Sequence, residues 1–205
     1  MNSVSAQFLF DFGSPNAYLS HKVIPAIEAR TGVAFEYVPT LLGGLFKLSN
    51  NRSPMVAFAD IPKKQAYDRL EMRRFISKHG LTQFQANPHF PVNTLQIMRG
   101  AVAAIELGCA AAYNDAMFSA MWEQGLNMNE PDQIRAVLLA AKLDAGAVLE
   151  RTQDANVKAR LLATTQQAYD DGAFGSPMFL VGQEIYFGKD RLRDVEDEIV
   201  RVSQA

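Results

Sequence analysis

The sequence predicts an α/β protein whose single sheet layer is interrupted by a long helical block. Three observations predict it. The chain opens strand–helix–strand, helical periodicity dominates residues 94–171, and a β-hairpin with a closing helix ends it.

The opening strand is Ala6-Gln7-Phe8-Leu9-Phe10-Asp11-Phe12, an alternating apolar segment. Ser14 then stands at a helix cap position and Pro15 in the first turn. Behind them Tyr18, Leu19, Val23, Ile24 and Ile27 recur at helical spacing. Val33 to Pro39 alternates again and is closed by proline, so the start is a β-α-β unit with a right-handed crossover. From Leu41 to Ser53, Gly43-Gly44 and the run Asn50-Asn51-Arg52-Ser53-Pro54 predict a loop. A helix is expected over Lys63–His79, with Ala66, Leu70, Arg73 and Phe75 roughly periodic, and Asn87–Asn93 is a proline-rich break.

Five helices follow by pattern. They are Thr94–Leu107 stopped by Gly108, Ala110–Gln124, Pro131–Leu143, Asp144–Arg151, and Asn156–Asp171 stopped by Gly172. Met178-Phe179-Leu180-Val181 and Glu184-Ile185-Tyr186-Phe187 flank Gly182-Gln183, a two-residue hairpin connection. A last helix is expected over Arg191–Val202. Two strands cannot form a sheet alone, so the hairpin must join the first pair and the middle helices are an insertion. One domain, 1–205, is expected: an N-terminal β-α-β over 5–45, the helical insertion over 46–165, and the hairpin and helix over 166–205.

Composition excludes several classes. Of 205 residues, 48% are hydrophobic and 20% charged, an ordinary globular balance. A net charge of −2 argues for neither nucleic acid nor an anionic membrane as partner. No stretch approaches the roughly 20 apolar residues of a membrane span. The start lacks the features of a secretory signal, and the lone Cys109 suits a reducing compartment, so a cytoplasmic location is expected. His21, His79 and His89 are scattered without metal-ligand spacing, and no metal is expected. Homodimerisation is an expectation from the apolar surface of the helical block.

Two stretches carry chemistry. Ser14-Pro15-Asn16-Ala17 places a hydroxyl and backbone N–H groups at a helix start, where an anion such as a thiolate is held; its plain alternative is a helix cap. Gly172-Ala173-Phe174-Gly175-Ser176-Pro177 puts a proline at a strand entry, where the Ser176 backbone can pair with an extended peptide.

These elements together resemble the DsbA-like thioredoxin fold with a large all-helical insertion. In its redox members the turn is Cys-Pro-x-Cys; Ser14 and Ala17 fill both cysteine positions here, which excludes disulfide exchange. Ser14-Pro15 between Phe10-Asp11-Phe12 and Tyr18-Leu19 is similar to the 2-hydroxychromene-2-carboxylate isomerase family and the related kappa-class glutathione transferases. The likeness continues through Asn51-Arg52-Ser53-Pro54, Pro62 to Tyr67, Phe90-Pro91-Val92-Asn93, Gly172 to Pro177 and Phe187 to Leu192. It spans essentially the whole chain, with departures at Gly13 and Ser176.

The resemblance implies glutathione as cofactor and a small aromatic carboxylate as substrate. Ser14 would hydrogen-bond the glutathione sulfur as the catalytic residue. Ser176 and Pro177 would hold its cysteinyl backbone, Asp190 and Arg191 its γ-glutamyl end, and Lys64 a carboxylate. Asn51, Tyr67 and Asn93 would face the substrate. The implied activity interconverts 2-hydroxychromene-2-carboxylate and trans-o-hydroxybenzylidenepyruvate, or a related aromatic-degradation intermediate, by reversible thiolate addition. Conjugation of electrophiles is the alternative activity, and a non-catalytic thioredoxin-like binding protein is the third.

Overall fold

The computed structural model describes residues 4–204. β1 (Ala6–Phe10) lies inside a four-stranded sheet of order β2-β1-β3-β4, with β2 (Glu36–Pro39), β3 (Met178–Val181) and β4 (Glu184–Phe187). β1 and β2 run parallel, as the β-α-β start requires, and both hairpin pairings are antiparallel. The hairpin does complete the sheet: β3 pairs with β1, in the register Leu9 opposite Met178.

The pleat of β1 divides the core. Phe8 and Phe10 point to one side, where Phe8 stacks on Phe179 at 5.3 Å and Phe10 meets Phe118 at 5.7 Å between ring centres. Leu9 points to the other side, into a smaller cluster with Leu45, Ala168, Ala173 and Met178. The alternation read from the sequence therefore does not separate a core face from a solvent face, because Phe8, Leu9 and Phe10 are all buried and β1 is covered on both sides.

α1 (Pro15–Thr31) begins at the Ser14 cap, whose side chain accepts the Ala17 N–H, and ends at Gly32 with φ +71°. The helical block contains α4 (Pro62–His79), α5 (Leu95–Glu106), α6 (Ala110–Trp122), α7 (Pro131–Ala140), α8 (Ala145–Arg151) and α9 (Ala155–Asp170). Their bounds follow the sequence signals within a few residues at each end. Only Phe75 of α4 is buried, so the first half of that long helix stands exposed. After β4 a short 3-10 turn, Lys189–Arg191, leads into α10 (Leu192–Ser203). Among the described residues no helix is long and apolar enough to cross a membrane.

One expectation is overturned. The segment predicted as a loop from Leu41 to Ser53 contains α2 (Leu42–Leu48), and a single turn, α3 (Pro54–Ala57), follows it. The glycine pair that argued for a loop serves packing instead. α2 crosses α9 so closely that a Cβ on Gly44 would meet the Thr165 methyl at 2.9 Å. Thr165 cannot turn away, because its hydroxyl donates to the Leu161 carbonyl at 2.7 Å and accepts the Leu41 N–H at 2.9 Å. Tertiary burial of Leu45 outweighs the weak helix propensity of glycine.

The two glycines therefore separate by substitution. Gly44→Ala is expected to destabilise by about 1–3 kcal/mol through overpacking. Gly43, with open space around its Cβ position, should gain about 0.5–1 kcal/mol as alanine. Urea denaturation of both variants checks this; equal effects would refute the close-packing account.

Candidate active site

The turn after β1 brings Ser14 to the entry of β3. Its side chain is buried, 4% exposed. The hydroxyl donates to the Ser176 carbonyl at 2.9 Å and accepts the Ala17 N–H at 3.2 Å. Among the described residues no imidazole or carboxylate bonds to it, so none of them activates the serine itself as a nucleophile. Pro15 has no N–H, and the Ser14 N–H bonds back to the Asp11 carbonyl at 3.0 Å. The Asn16 N–H finds no acceptor among the described residues, so it and the hydroxyl are what the helix start offers.

On the facing loop the Ser176–Pro177 bond is cis. The Ser176 N–H also finds no acceptor among the described residues, and the Pro177 carbonyl accepts the Gly188 N–H at 3.0 Å. An extended chain laid alongside Ser176 would meet a free N–H and a carbonyl with one lone pair to spare.

Sequence reasoning missed Asp11, which is wholly buried. Its Oδ1 accepts the Gly13 N–H and its Oδ2 the Leu42 N–H, each at 2.8 Å. Its own N–H donates to the Ser176 hydroxyl oxygen at 3.1 Å. Burial pushes its carboxyl above the usual range, against the two N–H groups and the Thr94 side chain, which favour ionisation. The available signal was a carboxylate between Phe10 and Phe12 in an otherwise apolar strand. Gly13 is explained here too, since its Cβ would press on Thr94 at 3.2 Å and Asp11 at 3.3 Å.

The other expected residues are distributed unevenly. Asn51 reaches the same loop, donating to the Phe174 carbonyl at 2.9 Å. Asp190 and Arg191 follow Gly188 closely, but each already has a partner. Asp190 accepts from Lys189 at 2.5 Å, and Arg191 reaches Asp194 at 3.1 Å. Lys189, also missed, has a side chain only 4% exposed, with its ammonium 4.9 Å over the Phe75 ring. Lys64 pairs with Asp68 and lies over Phe58 on the exposed start of α4, where Tyr67 is 54% exposed. Neither makes a hydrogen bond to the Ser14 cluster. Asn93 accepts the Leu95 N–H at 3.1 Å and lines a cavity of about 190 Å³ with Gln96 and Arg99. It adjoins Thr94, one contact from Asp11. Among the described residues no group of three His, Cys, Asp or Glu is placed to hold a metal.

The model of the DSBA-like thioredoxin domain family matches residues 6–200. The chain belongs to the DsbA-like thioredoxin family. It is similar to 2-hydroxychromene-2-carboxylate isomerase of Sphingobium xenophagum, 25% identical over 203 residues, covering 94% of this chain and 96% of that one. It is equally similar to human glutathione S-transferase kappa 1, 25% identical over 206 residues, covering 92% and 87%. Among solved structures, 2-hydroxychromene-2-carboxylate isomerase superimposes with a TM-score of 0.79 at 24% identity, over 97% and 96% of the chains. A probable DsbA oxidoreductase from Streptomyces coelicolor does so at 0.77 and 16%, over 98% and 90%. The structural matches establish the DsbA-like fold.

Asp11 makes stability depend on pH in this member of the family. Its folded carboxyl holds a proton more tightly than the unfolded one, so this contribution is fully present below the unfolded value, about 3.9, and is lost as pH rises through the folded value. The stability of the protein relative to Asp11→Asn should therefore fall as pH rises from the unfolded value to the raised folded value, and level off above it. Denaturant titrations across that range test it; a flat or rising difference would contradict the burial-dominated shift.

Proposed function

We propose that the protein is a glutathione-dependent isomerase of aromatic carboxylates, acting on 2-hydroxychromene-2-carboxylate or a related ring-degradation intermediate. The carrying observation is the Ser14 hydroxyl at the start of α1, 2.9 Å from the Ser176 carbonyl. The donors fit a cysteinyl peptide. Ser176 has a free N–H for its backbone, while the Ser14 hydroxyl and Asn16 N–H lie at the positive helix end, where a thiolate is favoured. When bound, glutathione supplies a thiolate nucleophile that adds reversibly to a conjugated double bond, permits rotation about it, and is released unchanged.

The chain's own residues do the rest. Ser14 turns its proton from the Ser176 carbonyl to the sulfur, and Ser176 and Pro177 align the cysteinyl backbone. Asp190 and Arg191 offer one charge of each sign to the γ-glutamyl end. Lys64 offers a cation to a carboxylate from the exposed start of α4, with Tyr67 beside it. Asn51, bonded to the Phe174 carbonyl, and Asn93, next to Thr94, are assigned to the substrate side. Similarity to isomerases from more than one bacterium favours isomerisation, and similarity to kappa transferases keeps conjugation as the second reading.

Ser14→Ala is expected to return the bound thiol toward an ordinary value near about 8.5. Turnover should fall about 10²-fold or more, as when one oxyanion donor is removed. The structural cost should be only about 1 kcal/mol, that of a lost cap. Ultraviolet titration of bound glutathione, with parallel isomerase and thioether-forming assays, distinguishes the readings. Thioether formation without isomerisation would refute the isomerase, and an unshifted thiol in the unmodified protein would refute the role of Ser14.

A further inference from the structure

Asp11 takes no part in the thiol chemistry above, yet it bonds to the Ser14 turn, the start of α2 and the Ser176 loop. Its carboxylate accepts the N–H of Gly13 in the turn and of Leu42 at the start of α2, and the side chain of Thr94, just before α5, borders the same turn. Its backbone closes a ring. The Asp11 N–H donates to the Ser176 hydroxyl oxygen, the Ser14 hydroxyl donates to the Ser176 carbonyl, and the Ser14 N–H returns to the Asp11 carbonyl.

Two consequences follow from this ring. The Gly13 and Ser14 N–H groups are both spent on Asp11, so neither is offered to an anion at the helix start. The aim of the Ser14 hydroxyl is fixed by the turn on one side and Ser176 on the other, and Asp11 grips both. Both hydrogen-bond donors to its carboxylate are neutral backbone N–H groups. Its role is thus geometric, with no cation bringing it there. A Cβ at Gly13 would stand 3.2 Å from the Thr94 methyl and 3.3 Å from Asp11, so the turn is closely enclosed by both.

We propose that Asp11 is a positioning residue for the thiolate site: its carboxylate locks the Gly13–Ser14 turn to α2 and thereby aims the Ser14 hydroxyl at the sulfur. The proposal rests on the glutathione reading for its consequence, but the lock itself exists without ligand. Asp11→Asn preserves shape while turning one acceptor into a donor, which must face the N–H of either Gly13 or Leu42.

The expected result is a bound glutathione thiol whose pKa rises by about one unit, a tenfold loss of thiolate at fixed pH. Glutathione affinity at acid pH should be retained. The double variant Asp11→Asn with Ser14→Ala should show no rise beyond Ser14→Ala alone, because the two act through one hydroxyl. A merely structural role would lower melting temperature without moving the thiol, and a purely electrostatic role would lower the thiol pKa by removing a negative charge. An unchanged or lowered thiol pKa, or additive effects, therefore overturns the proposal. A second measurement needs no glutathione. The Gly13 and Leu42 amide proton resonances should titrate with one common midpoint that vanishes in Asp11→Asn; separate midpoints, or none, would overturn the lock. If the unmodified protein fails to shift the thiol, the glutathione reading falls and the amide titration alone decides on Asp11.

Discussion

Ser14 and Ser176 are 162 residues apart in sequence and joined by one hydrogen bond, and the site exists because the sheet register makes that bond inevitable. β1 ends at the same side of the sheet from which β3 departs, with Leu9 opposite Met178. The chain leaving one strand and the chain entering the other must therefore pass close together. What fixes the approach is the small cluster beneath, in which Leu9, Leu45, Ala168, Ala173 and Met178 bury one another. Ala168 closes α9 and Ala173 follows it, so the end of the helical block is pinned where the Ser176 loop must begin. α2 contributes Leu45 to the same cluster, and its close crossing of α9 at Gly44 belongs to the same constraint. Packing on one sheet face thus sets a hydrogen bond at its rim.

The parts of this arrangement that were legible in the sequence are those decided locally. Ser14 and Pro15 mark a helix start by their own chemistry, and Gly182-Gln183 between two apolar runs marks a hairpin. The helix α2 was not legible, because its two glycines carry a loop signal and only the partner α9 makes their smallness useful. Asp11 was visible as a letter, while its role depends on donors from residues 13 and 42 arriving together. Asn51 was picked out, but its partner, the Phe174 carbonyl, lies 123 residues away. Burial of a polar group is a property of the assembled chain, and alternation within one strand cannot show which polar group will be satisfied.

The charges near β4 illustrate the same limit. Asp190 and Arg191 were attractive as a ligand clamp because they carry opposite signs side by side. In the fold each is already neutralised, Asp190 by Lys189 and Arg191 by Asp194. The two pairings differ in kind. The Arg191 pair is exposed on both sides, and such pairs contribute only about 0–1 kcal/mol, so a ligand carboxylate can replace Asp194 at little cost. Lys189 is enclosed, with the Phe75 ring against its ammonium, and Asp190 is its sole side-chain acceptor among the described residues. Drawing Asp190 away from it would expose a buried cation to an apolar neighbour, which is expensive. A ligand ammonium at this end is therefore better served by sharing the outer oxygen of Asp190 than by displacing Lys189.

A similar accounting of donors explains why a hydroxyl suits the turn. Ser14 has one proton to give, and in the free protein the Ser176 carbonyl receives it. A thiolate arriving at the helix start competes for that proton with a full charge, and charge-assisted hydrogen bonds are about twice as strong as neutral ones. The carbonyl it abandons would not be left bare under the proposed reading, because an extended peptide beside Ser176 would bring an N–H of its own. The exchange would thus leave the Ser176 carbonyl with a partner in both states while redirecting the Ser14 hydroxyl proton to the anion. Backbone donors could not make that exchange: the Gly13 and Ser14 N–H groups are fixed on Asp11, Pro15 has none, and the Asn16 N–H cannot turn. Only a rotating side-chain donor at position 14 can serve the carbonyl first and the sulfur afterwards.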